Sequence, residues 1–122
     1  MIIQESGEMY LESILVISKE KGRVRSIDIA EYLGVSKPSV SQAMSNLKSS
    51  GYVIVENDGN LALSDIGLEI ASKIFERHTV VSEMLISIGV SPSVASQDAC
   101  RIEHCISDET FEALKGFTER NK

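Results

Sequence analysis

The segment IDIAEYLGVS at residues 27–36 decides the fold of this chain. Its apolar residues recur at the spacing of a short amphipathic helix, and Gly34 permits the sharp turn that ends it. Ser36 is a typical N-cap for a following helix, in which Pro38 falls in the first turn, where its missing N–H costs nothing. The small Ala30 lets the two helices approach each other closely. Together these features predict a helix-turn-helix.

The residues on either side of this motif complete a recognisable unit. Residues 6–21 have an apolar stripe and are followed by Gly22, which predicts a first helix. Residues 52–56 are rich in β-branched side chains, NDGN at 57–60 is a strong turn signal, and residues 61–63 can return as a second strand. The N-terminal half is therefore predicted to be a winged helix-turn-helix.

The second half of the chain is predicted to be entirely helical. A long helix follows the capping pair Ser64-Asp65 and reaches about residue 88, a second helix covers about 93–106, and a third ends near residue 117. The expected fold class is mainly α with a small β-hairpin. We place a DNA-binding domain at residues 1–64 and an all-helical domain at residues 65–122.

The composition is that of a globular protein, and the charge is unevenly distributed. The chain has 122 residues and a net charge of -6, but residues 19–55 carry six basic and three acidic side chains, a local excess of positive charge. No apolar run has the length of a membrane span, and the start of the chain lacks the basic residues of a secretory signal. The spacing of Cys100 and Cys105 does not favour a disulfide. We expect a cytoplasmic protein without membrane contact.

The helix after Gly34 exposes short hydrogen-bonding side chains and a few cations. Gln and Asn can read adenine edges, Ser can contact bases or phosphates, and Lys can bind phosphate. The residues with this chemistry are Ser36, Lys37, Ser39, Ser41, Gln42 and Asn46. The alternative is a solvated polar face, but Ser-rich exposed helices form poorly without another reason for their composition. The motif and the wing together therefore predict DNA binding.

A second cluster has the chemistry of metal ligands. The spacing of Cys100, Glu103 and His104 predicts a thiol, a carboxylate and an imidazole on one face of a helix. The ordinary alternative is a core Cys, a solvated Glu and a surface His. Three further candidates, on two other predicted helices, are Met9, Glu12 and His78. Ligands drawn from distant segments would let an ion stabilise one arrangement of the chain.

With these motifs, the chain resembles the diphtheria-toxin-repressor family of metal-dependent regulators, in a short form without a C-terminal SH3-like domain. The matching segments are Asp28-Ile29-Ala30, Pro38-Ser39-Val40-Ser41-Gln42, Leu63-Ser64-Asp65-Ile66-Gly67, Arg77-His78 and Ala99-Cys100-Arg101-Ile102-Glu103-His104. The resemblance covers nearly the whole chain. It implies that the helical domain binds metal and dimerises, and it adds Pro38 to the candidate DNA-contacting residues.

The resemblance also implies a metal site of mixed character. Positions matching the iron branch are Met9, Cys100, Glu103 and His104, and positions matching the manganese branch include Glu12, His78, Glu103 and His104. Two ligands of the iron branch's ancillary site fall at Ser82 and Ser96, which are poor ligands. Thiolate and thioether donors make Fe²⁺ the first choice and Mn²⁺ the second, and Zn²⁺, Co²⁺ or Ni²⁺ could substitute in vitro.

The implied function is a repressor of metal-uptake or metal-homeostasis genes that metal activates as a homodimer. Dimerisation through about residues 65–117 would place two recognition helices about 34 Å apart on a palindromic operator. One alternative is a winged-helix regulator that responds to a small organic ligand or binds DNA constitutively. Another is a small metalloenzyme, but no second motif supplies an acid or base beside the metal, so we predict no enzymatic activity.

Overall fold

The computed structural model describes residues 5–121 of the chain, and the side chains from residue 6 onwards. These residues form six helices and one two-stranded sheet. The elements are α1 Glu5–Lys21, α2 Ser26–Leu33, α3 Lys37–Ser49, β1 Val53–Val55, β2 Leu61–Leu63, α4 Asp65–Ser87, α5 Pro92–Ile102 and α6 Asp108–Arg120. The chain divides into two compact units, Met1–Ser72 (unit 1) and Lys73–Lys122 (unit 2). The predicted fold class is confirmed.

The helix-turn-helix in unit 1 is built from local caps. Arg25 is the N-cap of α2, and its backbone N–H donates to Asp28 Oδ2 at 2.9 Å. This hydrogen bond lowers the pKa of the Asp28 carboxyl. Gly34 ends α2 with a φ of 70°, a left-handed conformation that favours glycine. The Ser36 hydroxyl then accepts from the Ser39 N–H at 3.2 Å and caps α3, as the sequence predicts.

The wing is an antiparallel hairpin joined to the extended segment before α2. Val53 pairs with Leu63, and Val55 pairs with Leu61. The Leu61 N–H donates to the Val24 carbonyl at 2.8 Å, and the Val24 N–H donates to Asn60 Oδ1 at the same distance. The wing is therefore held by backbone hydrogen bonds on both sides of its second strand.

The start of α4 lies directly against the wing. The Ser64 hydroxyl accepts from the Gly67 N–H at 3.1 Å and donates to the Gly51 carbonyl at 2.6 Å. A Cβ atom on Gly67 would lie 2.1 Å from the Tyr52 carbonyl oxygen, so only glycine fits in this first turn. The close approach fixes where α4 leaves the wing.

Unit 2 contains the rest of α4 together with α5 and α6. The prediction for α5 was wrong at its C-terminal end, because the helix stops at Ile102 rather than near residue 106. The Arg77 guanidinium donates hydrogen bonds to the Glu103 and Ile106 carbonyls, and Ser107 is the N-cap of α6, so the chain turns between these points. In the described part of the chain, no helix combines the length and the apolar character that a membrane crossing requires.

Candidate metal centre

Three side chains of unit 2 bring different metal-binding groups together. Glu103 Oε2 lies 2.9 Å from His78 Nδ1, and Cys100 Sγ lies 3.8 Å from the same nitrogen. The ligand atoms of His78, Cys100 and Glu103 all lie within 4.8 Å of one another. An imidazole, a thiol and a carboxylate at this spacing can reach a single ion after small rotamer adjustments.

The Glu103 carboxylate is the most deeply buried member of the cluster. Its Oε1 lies 3.3 Å from His104 Nε2, and both of these side chains are 1% exposed. The carboxylate thus stands between two imidazoles, because its other oxygen faces His78. A buried carboxylate is costly unless a positive charge compensates it, and a divalent cation or a protonated histidine supplies that charge. These residues therefore fit a metal ion.

The structure corrects the predicted backbone conformation of the segment that contains Cys100, Glu103 and His104. Cys100 lies on α5, but Glu103 is the C-cap of that helix and His104 follows it in a turn. The predicted single helical face for all three residues was therefore wrong. The Glu103 side chain nevertheless faces His78, because the C-cap still has right-handed backbone angles (φ −59°, ψ −25°).

Two other predicted ligands belong to unit 1. Met9 is 40% exposed and Glu12 is half-buried, and both lie on α1 in unit 1. Their part in the metal centre stays a prediction. At the two positions that match the ancillary site, Ser96 Oγ lies 3.4 Å from His78 Nε2, while Ser82 Oγ is buried without a hydrogen-bond partner among the described residues.

Sequence reasoning missed the role of Arg77. It entered only as part of a family match, but the structure buries it to 6% exposure and points its guanidinium at the turn after α5. The one sequence signal was an arginine directly before His78, within a helix that otherwise supplies apolar residues to the core at Ile74 and Val81. A cation at such a position needs partners elsewhere in the fold.

The predicted DNA-reading residues form one exposed face of α3. Val40, Met44 and Leu47 are buried, whereas the whole candidate set is exposed: Ser36, Lys37, Pro38, Ser39, Ser41, Gln42 and Asn46. Pro38, Gln42 and Asn46 also line an open groove together with Ser6 and Tyr10 of α1. The Ser36 hydroxyl donates to Ser39 Oγ at 2.8 Å, so these two hydroxyls already contact each other. A surface of this chemistry can contact both base edges and phosphates.

Family profiles match both halves of the chain. The N-terminal DNA-binding domain of the iron-dependent repressors matches residues 3–61, and the metal-binding and dimerisation domain of the same proteins matches residues 64–122. The chain belongs to the iron-dependent repressor family. Members of this family are DNA-binding transcriptional regulators controlled by metal, and its C-terminal profile includes the segment that carries His78, Cys100 and Glu103.

Related transcriptional regulators align over most of the chain. The transcriptional regulator MntR of Escherichia coli O157:H7 is 35% identical over 112 residues, covering 92% of this chain and 72% of MntR. The diphtheria toxin repressor of Corynebacterium diphtheriae is 32% identical over 111 residues, covering 90% of this chain and 49% of that protein. An HTH-type regulator of Methanocaldococcus jannaschii is 34% identical and is covered over 98% of its length.

Solved structures of the family share the fold. The manganese regulator SloR superposes with a TM-score of 0.83 at 25% identity, over 98% of this chain and 55% of SloR. A manganese-dependent transcriptional repressor in complex with manganese gives a TM-score of 0.85 at 23% identity, which shows the fold alone. This chain spans about half the length of both proteins.

Proposed function

We propose that this chain is a metal-activated repressor that binds operator DNA as a homodimer and controls genes of metal uptake or homeostasis. The observation that carries the proposal is the buried Glu103 carboxylate, 2.9 Å from His78 and grouped with Cys100, in a chain that also has a helix-turn-helix. Family membership supports the same conclusion.

The proposed ligands come from α1, α4, α5 and the turn after α5. They are Met9, Glu12, His78, Cys100, Glu103 and His104. A bound ion supplies the positive charge that the buried carboxylate needs. Glu103 has one oxygen toward each histidine, so its carboxylate would hold the metal together with these imidazoles.

We propose Fe²⁺ as the first physiological metal and Mn²⁺ as the second. The Cys100 thiolate favours Fe²⁺, whereas carboxylate and imidazole donors suit both ions. Zn²⁺, Co²⁺ and Ni²⁺ are expected to bind in vitro. Their affinity for such ligands follows the general order of stability of divalent metal complexes, whereas the metal bound in the cell also depends on which metals are available. Names within the family refer to both iron and manganese.

The proposed DNA contacts are made by the exposed face of α3. Lys37 would contact phosphate, and Gln42 and Asn46 are placed to read adenine edges. Four large apolar side chains of unit 2 are exposed, which suits an interface with a second copy: Ile86, Ile88, Val94 and Phe117. In a dimer, two recognition helices would meet a palindromic operator in successive major grooves.

The test is metal-dependent binding to a selected operator. Duplexes would be selected from a random-sequence library by the full chain with Mn²⁺, and their affinity measured under anaerobic conditions with Fe²⁺, with Mn²⁺ and with a chelator. We expect a palindromic consensus and an affinity at least about 10-fold weaker without metal, equivalent to ~1.4 kcal/mol of coupling. Gln42→Ala should relax the preference at one base position of each half-site.

The variant that separates metal control from simple DNA binding is Glu103→Gln. It keeps the shape of the side chain but removes the charge, so it should not respond to metal. The matched control is Glu109→Gln, which removes the charge of an exposed glutamate in the first turn of α6. This variant should respond to metal like the unmodified chain. Equal operator affinity with metal and with chelator would contradict the proposal and favour a winged-helix protein with another ligand or none.

A further inference from the structure

We infer that Arg77 is a positioning residue for the metal centre: it holds the turn that carries Glu103 and His104 in the geometry that metal binding needs. This inference rests on the proposed metal binding but concerns a side chain that is not itself a ligand. Arginine cannot bind a cation directly, because its guanidinium is always positively charged and has no acceptor atom.

The contacts of Arg77 converge on the segment that presents the ligands. Its Nη1 donates to the Glu103 carbonyl at 3.1 Å and to the Ile106 carbonyl at 2.8 Å. Its Nη2 donates to Asp108 Oδ1 at 2.5 Å. A single guanidinium on α4 thus contacts the turn at Glu103 and at Ile106, and it also contacts Asp108 at the start of α6.

These contacts stabilise the turn at the end of α5. The last carbonyls of a helix lack partners within the helix, and a cation at that end is favourable. Arg77 supplies both the hydrogen bonds and the charge where α5 ends, while Asp108 balances the guanidinium. A hydrogen bond from Lys73 is the main reason that the pKa of Asp108 lies below its ordinary value of 3.8.

The position of Arg77 links the two sides of the metal centre. It directly precedes His78 on α4, and it holds the backbone of Glu103, whose carboxylate lies 2.9 Å from the His78 ring. The Phe111 ring lies 5.3 Å from the guanidinium carbon and limits its movement. Because Arg77 is 6% exposed, solvent competes little with these hydrogen bonds. The guanidinium therefore sets the separation between a ligand on α4 and the ligands after α5.

The experiment compares Co²⁺ binding by the full chain and its variants, because Co²⁺ absorption reports ligand geometry independently of DNA binding. Arg77→Lys keeps the charge but loses the planar fork that reaches three acceptors. We expect about 10-fold or greater weakening of Co²⁺ affinity, as for other residues that orient metal ligands, together with a changed visible spectrum at saturating Co²⁺. Asp108→Asn should produce a smaller change in the same direction.

The matched control is Lys115→Met. Lys115 also joins α6 to α4, through an exposed ion pair with Glu76 at 3.0 Å, and this ion pair does not involve the turn that carries Glu103 and His104. Its Co²⁺ spectrum and affinity should stay within about twofold of the unmodified chain, because exposed ion pairs contribute little. A loss of stability alone would not alter the spectrum of a folded, saturated protein.

Three results would overturn the inference, and they differ in what else they contradict. A folded Arg77→Lys variant with unchanged Co²⁺ spectrum and affinity would show that Arg77 does not position the ligands. If that variant does not fold, an unchanged spectrum and affinity for Asp108→Asn would have the same meaning. Failure of the unmodified chain to bind Co²⁺, Fe²⁺ or Mn²⁺ would contradict the proposed function as well.

Discussion

At the scale of single residues, the proposed metal centre includes the sulfur atom of one cysteine. Cys100 is exposed, yet its Sγ lies 3.8 Å from His78 Nδ1 and within 4.8 Å of a Glu103 oxygen. Cys105 is also exposed and is a free thiol, but it lies outside the ligand groupings among the described residues. The two cysteines therefore allow a direct test of which thiol binds metal.

We predict that Cys100→Ser removes the thiolate-to-metal charge-transfer absorption of the Co²⁺-loaded chain and weakens Co²⁺ binding. A hydroxyl is a poorer ligand than a thiolate for this ion, so the loss should exceed about 10-fold. Ultraviolet absorption during a Co²⁺ titration measures both effects. Cys105→Ser is the control and should keep the absorption band. If the band is lost in Cys105→Ser and kept in Cys100→Ser, the assignment of Cys100 as a ligand is wrong.

At the scale of elements, the start of α4 is fixed by a close contact rather than by a cap alone. The Ser64 cap could form in any helix, but the space at Gly67 is closed by the Tyr52 carbonyl. Gly116 on α6 provides a contrast, because a Cβ there would meet only the flexible end of Arg120, at 3.3 Å. Two helical glycines in one chain therefore have opposite expected responses to the same substitution.

We predict that Gly67→Ala lowers the free energy of unfolding by about 1–3 kcal/mol, because a backbone oxygen cannot move away without distorting β1. Gly116→Ala should be neutral or stabilising by up to about 1 kcal/mol, because alanine favours a helix interior. Urea denaturation of both variants checks the difference. A Gly67→Ala variant as stable as the unmodified chain would mean that the contact between α4 and the wing relaxes easily.

At the scale of the whole molecule, the predicted ligand set spans both compact units. His78, Cys100, Glu103 and His104 lie in unit 2, and the predicted ligands Met9 and Glu12 lie in unit 1. The units divide inside α4, at Ser72 and Lys73, and the boundary between domains after residue 64 stays a prediction. If ligands from both units bind one centre, metal would make the stability of each unit depend on the other.

We predict that saturating Mn²⁺ or Fe²⁺ raises the melting temperature and that chelation reverses the rise. At a free metal concentration 100 times Kd the stabilisation should be about 2.7 kcal/mol, reduced by any metal that binds the unfolded chain. Glu12→Gln should diminish the rise, whereas Glu8→Gln, one turn earlier on α1, should not. Equal rises for both variants would exclude Glu12 from the centre and leave Met9 as the one proposed ligand from unit 1.

The amino-acid sequence by itself determined the features that depend on neighbours in the chain. The turn at Gly34, the cap at Ser36 and the hairpin turn at 57–60 have strong local preferences, so the winged helix-turn-helix could be predicted with element ends close to those observed. The types and spacing of Cys100 and Glu103 likewise indicated metal chemistry. The predicted end of α5 near residue 106 was wrong, because no local signal marks Ile102 as its last residue.

Only the tertiary structure decided which distant side chains meet. His78 and Glu103 are 25 residues apart, and their contact depends on how α4 packs against α5. The end of α5 depends equally on Arg77, which supplies partners to carbonyls 26 and 29 residues further along the chain. Hydrophobic periodicity places a residue on a face of its own helix, but packing chooses the partner across the interface. The sequence thus determined the elements and the chemistry of the proposed ligands, and packing around Arg77 decided the geometry of those in unit 2.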